Sequence, residues 1–183
     1  SGGAFSIGCG QLVNAGAFAS NIVSFCGSPD LVAPLPVAAR RRSIFSVRTS
    51  LADAGGDVPI TVPPNDTTPL VVDPSGVYFR PEGGVGQFIC GVSPPAEFGD
   101  PDCNDSAALE EVDHALFDAV IWPAMYERVE AFGALKVQSA WSGFYEYNTL
   151  DQNCIIGKHP HVSNLILCNG FSGHGLQQAP GAG

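Results

Sequence analysis

The run Asn164-Leu165-Ile166-Leu167-Cys168 passes directly into a glycine-rich stretch, Gly170 to Gly183, G-F-S-G-H-G-L-Q-Q-A-P-G-A-G. The apolar run predicts a buried strand, the glycines predict a tight turn, and the residues after them predict the opening of a helix. Such a turn gathers backbone N–H groups and aims the positive end of a helix at one point. That point is a seat for an electron-rich group, either a phosphate or a ring carbonyl that gains negative charge. The helix is expected to extend past Gly183, so the chain reads as part of a longer protein.

Bulk properties narrow the class. The chain has 183 residues, 45% of them hydrophobic, enough to build a core in one domain or in one domain plus part of another. A net charge of −10 argues against nucleic acid as partner, because phosphates need a basic footprint. The triplet Arg40-Arg41-Arg42 reads as the solvated beginning of a strand, with a small anion patch as the alternative. No apolar run approaches the ~18–20 residues of a membrane span. The six cysteines show no C-x-x-C spacing, and Cys90 and Cys168 lie inside apolar runs, so a reducing compartment is expected.

Along the chain, Gln11–Ala15 predicts a short strand, broken by Gly16, and 17–27 a helix. Ser28–Pro36 is a proline-rich crossing, and Ser43–Val47 alternates as a strand. Leu51–Thr68 is loop by composition. Pro69–Val72, Val77–Arg80 and Gln87–Cys90, joined by Asp73-Pro74-Ser75-Gly76 and Glu82-Gly83-Gly84, predict an antiparallel meander. Leu109–Val129 predicts the longest helix, from Val112, Leu116, Val120 and Ala124 at four-residue spacing, with Pro123 kinking or restarting it. Leu135–Tyr147 is strand-like and aromatic, with Tyr145 and Tyr147 on one face. Cys154–Gly157 is a further short strand. The layout is α+β and α/β: residues 1–27 and 151–183 belong to an α/β domain, and 28–150 form an antiparallel domain inserted in it.

Several motif fragments carry little. Gly8-Cys9-Gly10 begins a G-x-G-x-x-G pattern, but Val13 stands at the third glycine and no strand precedes it. Gly170-Phe171-Ser172-Gly173-His174 lacks the glycine that a nucleophile elbow needs two places after its serine. His159-Pro160-His161 has no third ligand at a usual spacing, so a turn is expected there and no metal.

Read in order, the chain resembles the D-amino-acid-oxidase-like FAD-dependent oxidoreductases. Leu12-Val13-Asn14-Ala15-Gly16-Ala17-Phe18 is similar to the family's second FAD-domain strand and turn. Gly76-Val77-Tyr78-Phe79-Arg80-Pro81 followed by Gly91 resembles a substrate-domain strand pair. Trp141-Ser142-Gly143-Phe144-Tyr145-Glu146, Asp151-Gln152-Asn153 and Ile155-Ile156-Gly157 resemble Trp-Ala-Gly-Leu-Tyr-Glu, Asp-His-Asn and Ile-Ile-Gly. Phe171-Ser172-Gly173-His174-Gly175 resembles the last FAD motif. Val137–Trp141, Tyr145–Thr149 and Gly173–Gly181 further resemble a mitochondrial branch that supports assembly of respiratory complex I.

The resemblance implies the C-terminal part of a two-domain flavoprotein: an antiparallel substrate domain inserted in a partial Rossmann-like FAD domain. It implies FAD held without a covalent bond at Asn14, Ala15, Gly16, Gly173, His174, Gly175, Leu176 and Gln177. It implies Tyr78, Arg80 and Tyr145 on the substrate side and oxidation of a C–N bond in an amine or amino-acid-like molecule. Catalytic residues are left unassigned. Where relatives anchor a carboxylate with Lys or Arg, this chain has Gln177 and Tyr145. A mitochondrial location and complex I assembly intermediates as partners follow from the same resemblance. So does an incomplete site: residues 1–183 alone are not expected to hold FAD tightly, and an exposed sheet edge is expected to limit solubility.

Overall fold

The computed structural model describes residues 8–17, 34–53 and 61–183. The chain divides into two compact units, Ser1–Arg40 with Tyr145–Gly183, and Arg41–Phe144. The expected helix over 17–27 and most of the proline-rich crossing lie outside the described residues.

The first unit carries a three-stranded sheet in the order β1-β8-β7, made of β1 (Leu12–Asn14), β7 (Ile155–Lys158) and β8 (Leu165–Asn169). β1 runs parallel to β8, with Leu12 opposite Leu165 and Asn14 opposite Leu167, whereas β7 is antiparallel to β8. Along β8, Leu165, Leu167 and Asn169 are buried while Ile166 and Cys168 are half-buried, the period of two that a strand imposes. A helix, Gly175–Ala182, follows the glycine-rich turn as expected. His159 and His161 lie in the turn between β7 and β8, where His159 Nδ1 accepts the His161 N–H at 3.2 Å.

The second unit is built on a five-stranded sheet of order β3-β4-β5-β2-β6. Its strands are β2 (Val37–Thr49), β3 (Val71–Val72), β4 (Tyr78–Pro81), β5 (Gln87–Gly91) and β6 (Leu135–Asn148). The long strands β2 and β6 each run through residues of both units. The meander is antiparallel as expected: Val71 pairs with Phe79, Phe79 with Cys90, and Cys90 with Phe45. Gly76, at φ +86°, closes the β3–β4 turn by donating to the Asp73 carbonyl at 2.8 Å.

The core of this unit lies on one face of the sheet. Phe45, Val47, Phe79, Phe88 and Cys90 point inward from the strands and meet Leu116, Phe117, Ile121, Met125 and Phe132. Phe79, Phe88 and Phe132 form a mutual edge-to-face trio with ring centroids 4.9–6.3 Å apart, the geometry the ring quadrupoles favour. Burial pushes the Cys90 thiol up to about 12, so it stays protonated.

Three sequence expectations are corrected here. The helix predicted over Leu109–Val129 begins later. Ser106–Glu110 is a 3-10 turn, and α-helix starts at His114, because the Asp113 side chain accepts the Leu116 N–H at 3.1 Å while Asp113 N–H is held by Ser43 Oγ. From there α1 (His114–Leu116) passes through a π-helical segment, Phe117–Ile121, into α2 (Trp122–Arg128). Pro123 sits at the start of α2, where its missing N–H costs least. The second correction is β2, which extends well beyond Ser43–Val47. The third is the arginine triplet, which lies inside β2 rather than at a solvated beginning. Arg42 keeps only 12% of its side chain exposed because Asp100 pairs with it through two bonds of 2.7 and 2.9 Å.

Phe132→Ala is expected to destabilise the protein by about 3–5 kcal/mol in denaturant unfolding, since the cavity opens between two other rings. A second prediction concerns Asp73. Its carboxylate accepts the Ser75 N–H at 2.9 Å and two bonds from Arg128 at 2.9 and 2.6 Å, and these hold it down from the ordinary 3.8 to about 2. A lowered folded value gives stability that is complete above the unfolded value and is lost as pH falls through the folded one. The Tm deficit of Asp73→Asn should therefore be constant above roughly pH 5 and shrink between there and about pH 2.

Candidate functional site

The candidate site lies at the carboxyl ends of the parallel pair β1 and β8, the position at which open α/β sheets bind ligands. Asn14 ends β1 and is buried. Its Oδ1 accepts the Gly16 N–H at 3.1 Å, and its carbonyl accepts Asn169 Nδ2 at 2.7 Å. The Asn14 side chain thus shapes the turn, while Ala15 and Gly16 are exposed beyond it. Leu12 to Gly16 line an open cavity of about 330 Å³. Asn169 is fully buried, and its Oδ1 has no hydrogen-bond partner among the described residues. An orphaned buried acceptor costs about 1–3 kcal/mol until a donor reaches it.

Past Asn169 the backbone turns sharply, with φ +75° at Gly170, +50° at Ser172 and +87° at Gly173. The end of β6 holds this turn. The Glu146 carboxylate accepts the N–H of Gly170 at 2.7 Å and of Phe171 at 3.1 Å, one bond to each oxygen. Ser172 Oγ accepts the Asn148 N–H at 2.9 Å and donates to the Gly170 carbonyl at 3.3 Å. Those two bonds hold a non-glycine residue in a left-handed conformation it would otherwise avoid. Asn148 also donates to Asp151 Oδ1 at 3.0 Å and accepts Leu150 N–H at 2.9 Å, which fixes the loop after β6. At Gly173 a Cβ would stand 3.2 Å from the Tyr145 ring, so both conformation and space call for glycine. Tyr145 meets Tyr147 edge-on at 6.3 Å, and the Arg40 guanidinium lies 4.6 Å from the Tyr147 ring centroid.

The helix α3 (Gly175–Ala182) opens from this turn with His174 at its N-cap. No side chain caps it and no acidic residue occupies its first turn. The first helical bond is Gln178 N–H to the His174 carbonyl at 3.1 Å. The N–H groups of Gly175, Leu176 and Gln177 precede it and have no helical acceptor. Leu176 is 89% exposed, and His174 and Gln177 are also exposed. The helix therefore presents its positive end and three donors to whatever approaches.

The structure brings Asn14–Gly16 and Gly173–Gln177 to the same end of the β1–β8 pair, with Tyr145 packed against Gly173. Tyr78 and Arg80 belong to the other unit, on the sheet face opposite the inward Phe79. The Tyr78 hydroxyl lies across Gly91, where a Cβ would meet it at 2.5 Å. Arg80 donates to the Pro81 carbonyl at 3.1 Å and pairs with Glu82. Four residues escaped sequence reasoning: Glu146, Asn148, Asn169 and Ser172. Asn148 follows an apolar-aromatic strand and precedes Thr-Leu-Asp, a usable sign of an Asx turn. The contacts of Glu146 and Asn169 span distant parts of the chain and leave no local mark.

The donors and acceptor gathered here are of the kind that a cofactor such as a flavin would use. The first amides of α3 supply donors, Asn169 Oδ1 is a buried acceptor with no donor among the described residues, and Gly173 keeps the backbone free of a side chain. Comparison with known proteins gives the family. The family model described as FAD dependent oxidoreductase (DAO) matches residues 2–183. FAD-dependent oxidoreductase domain-containing protein 1 of Xenopus laevis is 40% identical, over 97% of this chain and 34% of its own length. The Bos taurus protein of the same name is 50% identical, over 66% of this chain and 24% of its own length. The chain thus spans about a third of the first relative and about a quarter of the second. Among solved structures, L-proline dehydrogenase from P. horikoshii superposes with a TM-score of 0.66 at 20% identity, over 93% of this chain and 40% of that one. This likeness speaks for the fold.

Gly173→Ala tests the turn. The left-handed backbone alone costs an L-residue about 1–2 kcal/mol, and the Tyr145 ring must also shift. A destabilisation of at least that size is expected in denaturant unfolding, with no change in far-UV circular dichroism of the folded state.

Proposed function

We propose that the full protein is a flavin-dependent amine oxidoreductase, and the premise is its family: the chain belongs to the DAO family of FAD dependent oxidoreductases. The observation that carries the reading is the opening of α3, where three amides have no acceptor among the described residues and no acidic side chain occupies the first turn. Bound FAD would supply the hydride acceptor, with negative charge developing along its N1–C2=O edge. The amides of Gly175, Leu176 and Gln177, the His174 backbone and the helix dipole would face that charge. Donors fixed before the reaction stabilise developing charge without reorganisation. Asn14, Ala15 and Gly16 would support the cofactor from the neighbouring strand.

FAD is proposed to be held non-covalently. No cysteine stands in the aromatic segment Trp141–Tyr147, and Cys154 lies exposed ahead of β7. These residues are proposed to form one part of the FAD site, the rest lying in the longer protein. The substrate class proposed is an amine or amino-acid-like molecule oxidised at a C–N bond. The resemblance in sequence and the amino-acid chemistry in the name of the proline dehydrogenase support it. Of the three proposed substrate-side residues, Tyr145 lies in the same unit as the turn, beside Gly173.

A second reading is a flavoprotein fold that serves assembly of respiratory complex I in mitochondria, with binding rather than turnover as its task. Its support is the resemblance to that branch and the commitment of Arg80 to Glu82, which leaves no obvious carboxylate anchor at that position. One experiment separates the two. Full-length protein loaded with FAD is mixed anaerobically with a panel of secondary amines and amino acids. Bleaching of the long-wavelength flavin band within seconds to minutes is expected. A band that persists across the panel, together with capture of complex I intermediates, would favour the assembly reading.

A further inference from the structure

We infer that Glu146 is a positioning residue, an internal anion that sorts the amides of the flavin-facing turn. This rests on the flavin reading above. The turn offers a surplus of N–H groups, and the Glu146 carboxylate takes two of them, Gly170 at 2.7 Å and Phe171 at 3.1 Å. His174 N–H is spent on the Phe171 carbonyl at 3.0 Å. What is left for a ligand includes the set that opens α3. The carboxylate thus ties the strand end down and, by doing so, fixes the direction in which the remaining donors point. Three further contacts from the same strand show that β6 is built for this. Asn148 N–H reaches Ser172 Oγ at 2.9 Å, the Tyr145 ring covers Gly173, and Asn148 Cβ lies against Gly170. Among the described residues Glu146 has no cationic partner within ion-pair distance, so the two amides are its counterweight.

The chemistry makes a sharp prediction, because the two carboxylate oxygens each accept one N–H. Glu146→Gln keeps the size and shape but replaces one acceptor by an NH2 group facing a donor. Space-filling alone would be untouched by that change. Positioning would not: one amide is released, the turn relaxes, and the α3 donors lose their aim. Full-length protein is therefore compared with Glu146→Gln and Glu146→Asp, the latter keeping both oxygens on a shorter stem. Three readouts are taken: exchange of the Gly170 and Phe171 amides in the apo protein, Kd for FAD, and flavin midpoint potential.

The expected results for Glu146→Gln are faster exchange at those two amides and a Kd for FAD raised about tenfold. The potential is expected to become more negative, by about 30 mV for each tenfold loss of reduced-flavin stabilisation in a two-electron couple. Glu146→Asp should recover part of each. A rise in potential would mean that the carboxylate acts only as a nearby negative charge, and would overturn the proposal. So would unchanged exchange and Kd in Glu146→Gln. Protection of both amides in the parent with no FAD binding at all would leave the latch standing but sink the flavin reading, and with it the positioning role. Should Glu146→Gln fail to fold, the same three readouts on Glu146→Asp decide: parental values for all of them would overturn the proposal.

Discussion

Two hydrogen bonds from the Gly170 and Phe171 amides into the Glu146 carboxylate organise the end of this sheet. A strand that ends in a left-handed glycine exposes backbone donors with nowhere regular to go. An ionised carboxylate is the strongest acceptor a neighbouring strand can offer, and it satisfies two donors at once. With the strand end fixed, Ser172 can adopt its unusual backbone conformation, Gly173 can slide under Tyr145, and the helix can begin at a defined point. Its uncapped start is then a consequence of placement rather than an imperfection. The donors are left over by the turn.

The chain is uneven in how it spreads its polar commitments. In the sheet unit, polar side chains close on one another: Arg42 on Asp100, Arg128 on Asp73, Ser43 on the Asp113 amide. These are local solutions to burial and turning. At the β1–β8 end, by contrast, an asparagine acceptor and several amides are left without partners among the described residues. Folded proteins rarely leave a buried group such as the Asn169 acceptor unmatched. The buried Asn169 acceptor and the uncapped opening of α3 make this strand end the candidate place for a ligand.

Much of this was readable before any coordinates. The meander was legible because Asp73-Pro74-Ser75-Gly76 is a turn on its face and the flanking strands alternate. The strand, turn and helix at 164–183 were legible because glycine and a branched-aliphatic run punctuate the chain so clearly. The start of the long helix was not, because spacing of Val112, Leu116 and Val120 continues past the point where Asp113 caps the chain. The burial of Arg42 was not legible, because charge in a strand reads as solvent-facing until the distant Asp100 is known. Glu146 was visible only as part of a family-like motif. Its partners lie 24 and 25 residues away, beyond any local pattern.

Cys90 bears on how such a molecule ages. Oxidants attack thiolates far more readily than thiols, and climb from sulfenic to sulfonic acid only at sulfurs they can reach. The sheet keeps this sulfur both sealed and protonated, while Cys9 and Cys154 stand in the open. Peroxide damage would accordingly be written on the periphery first and leave the aromatic interior chemically young.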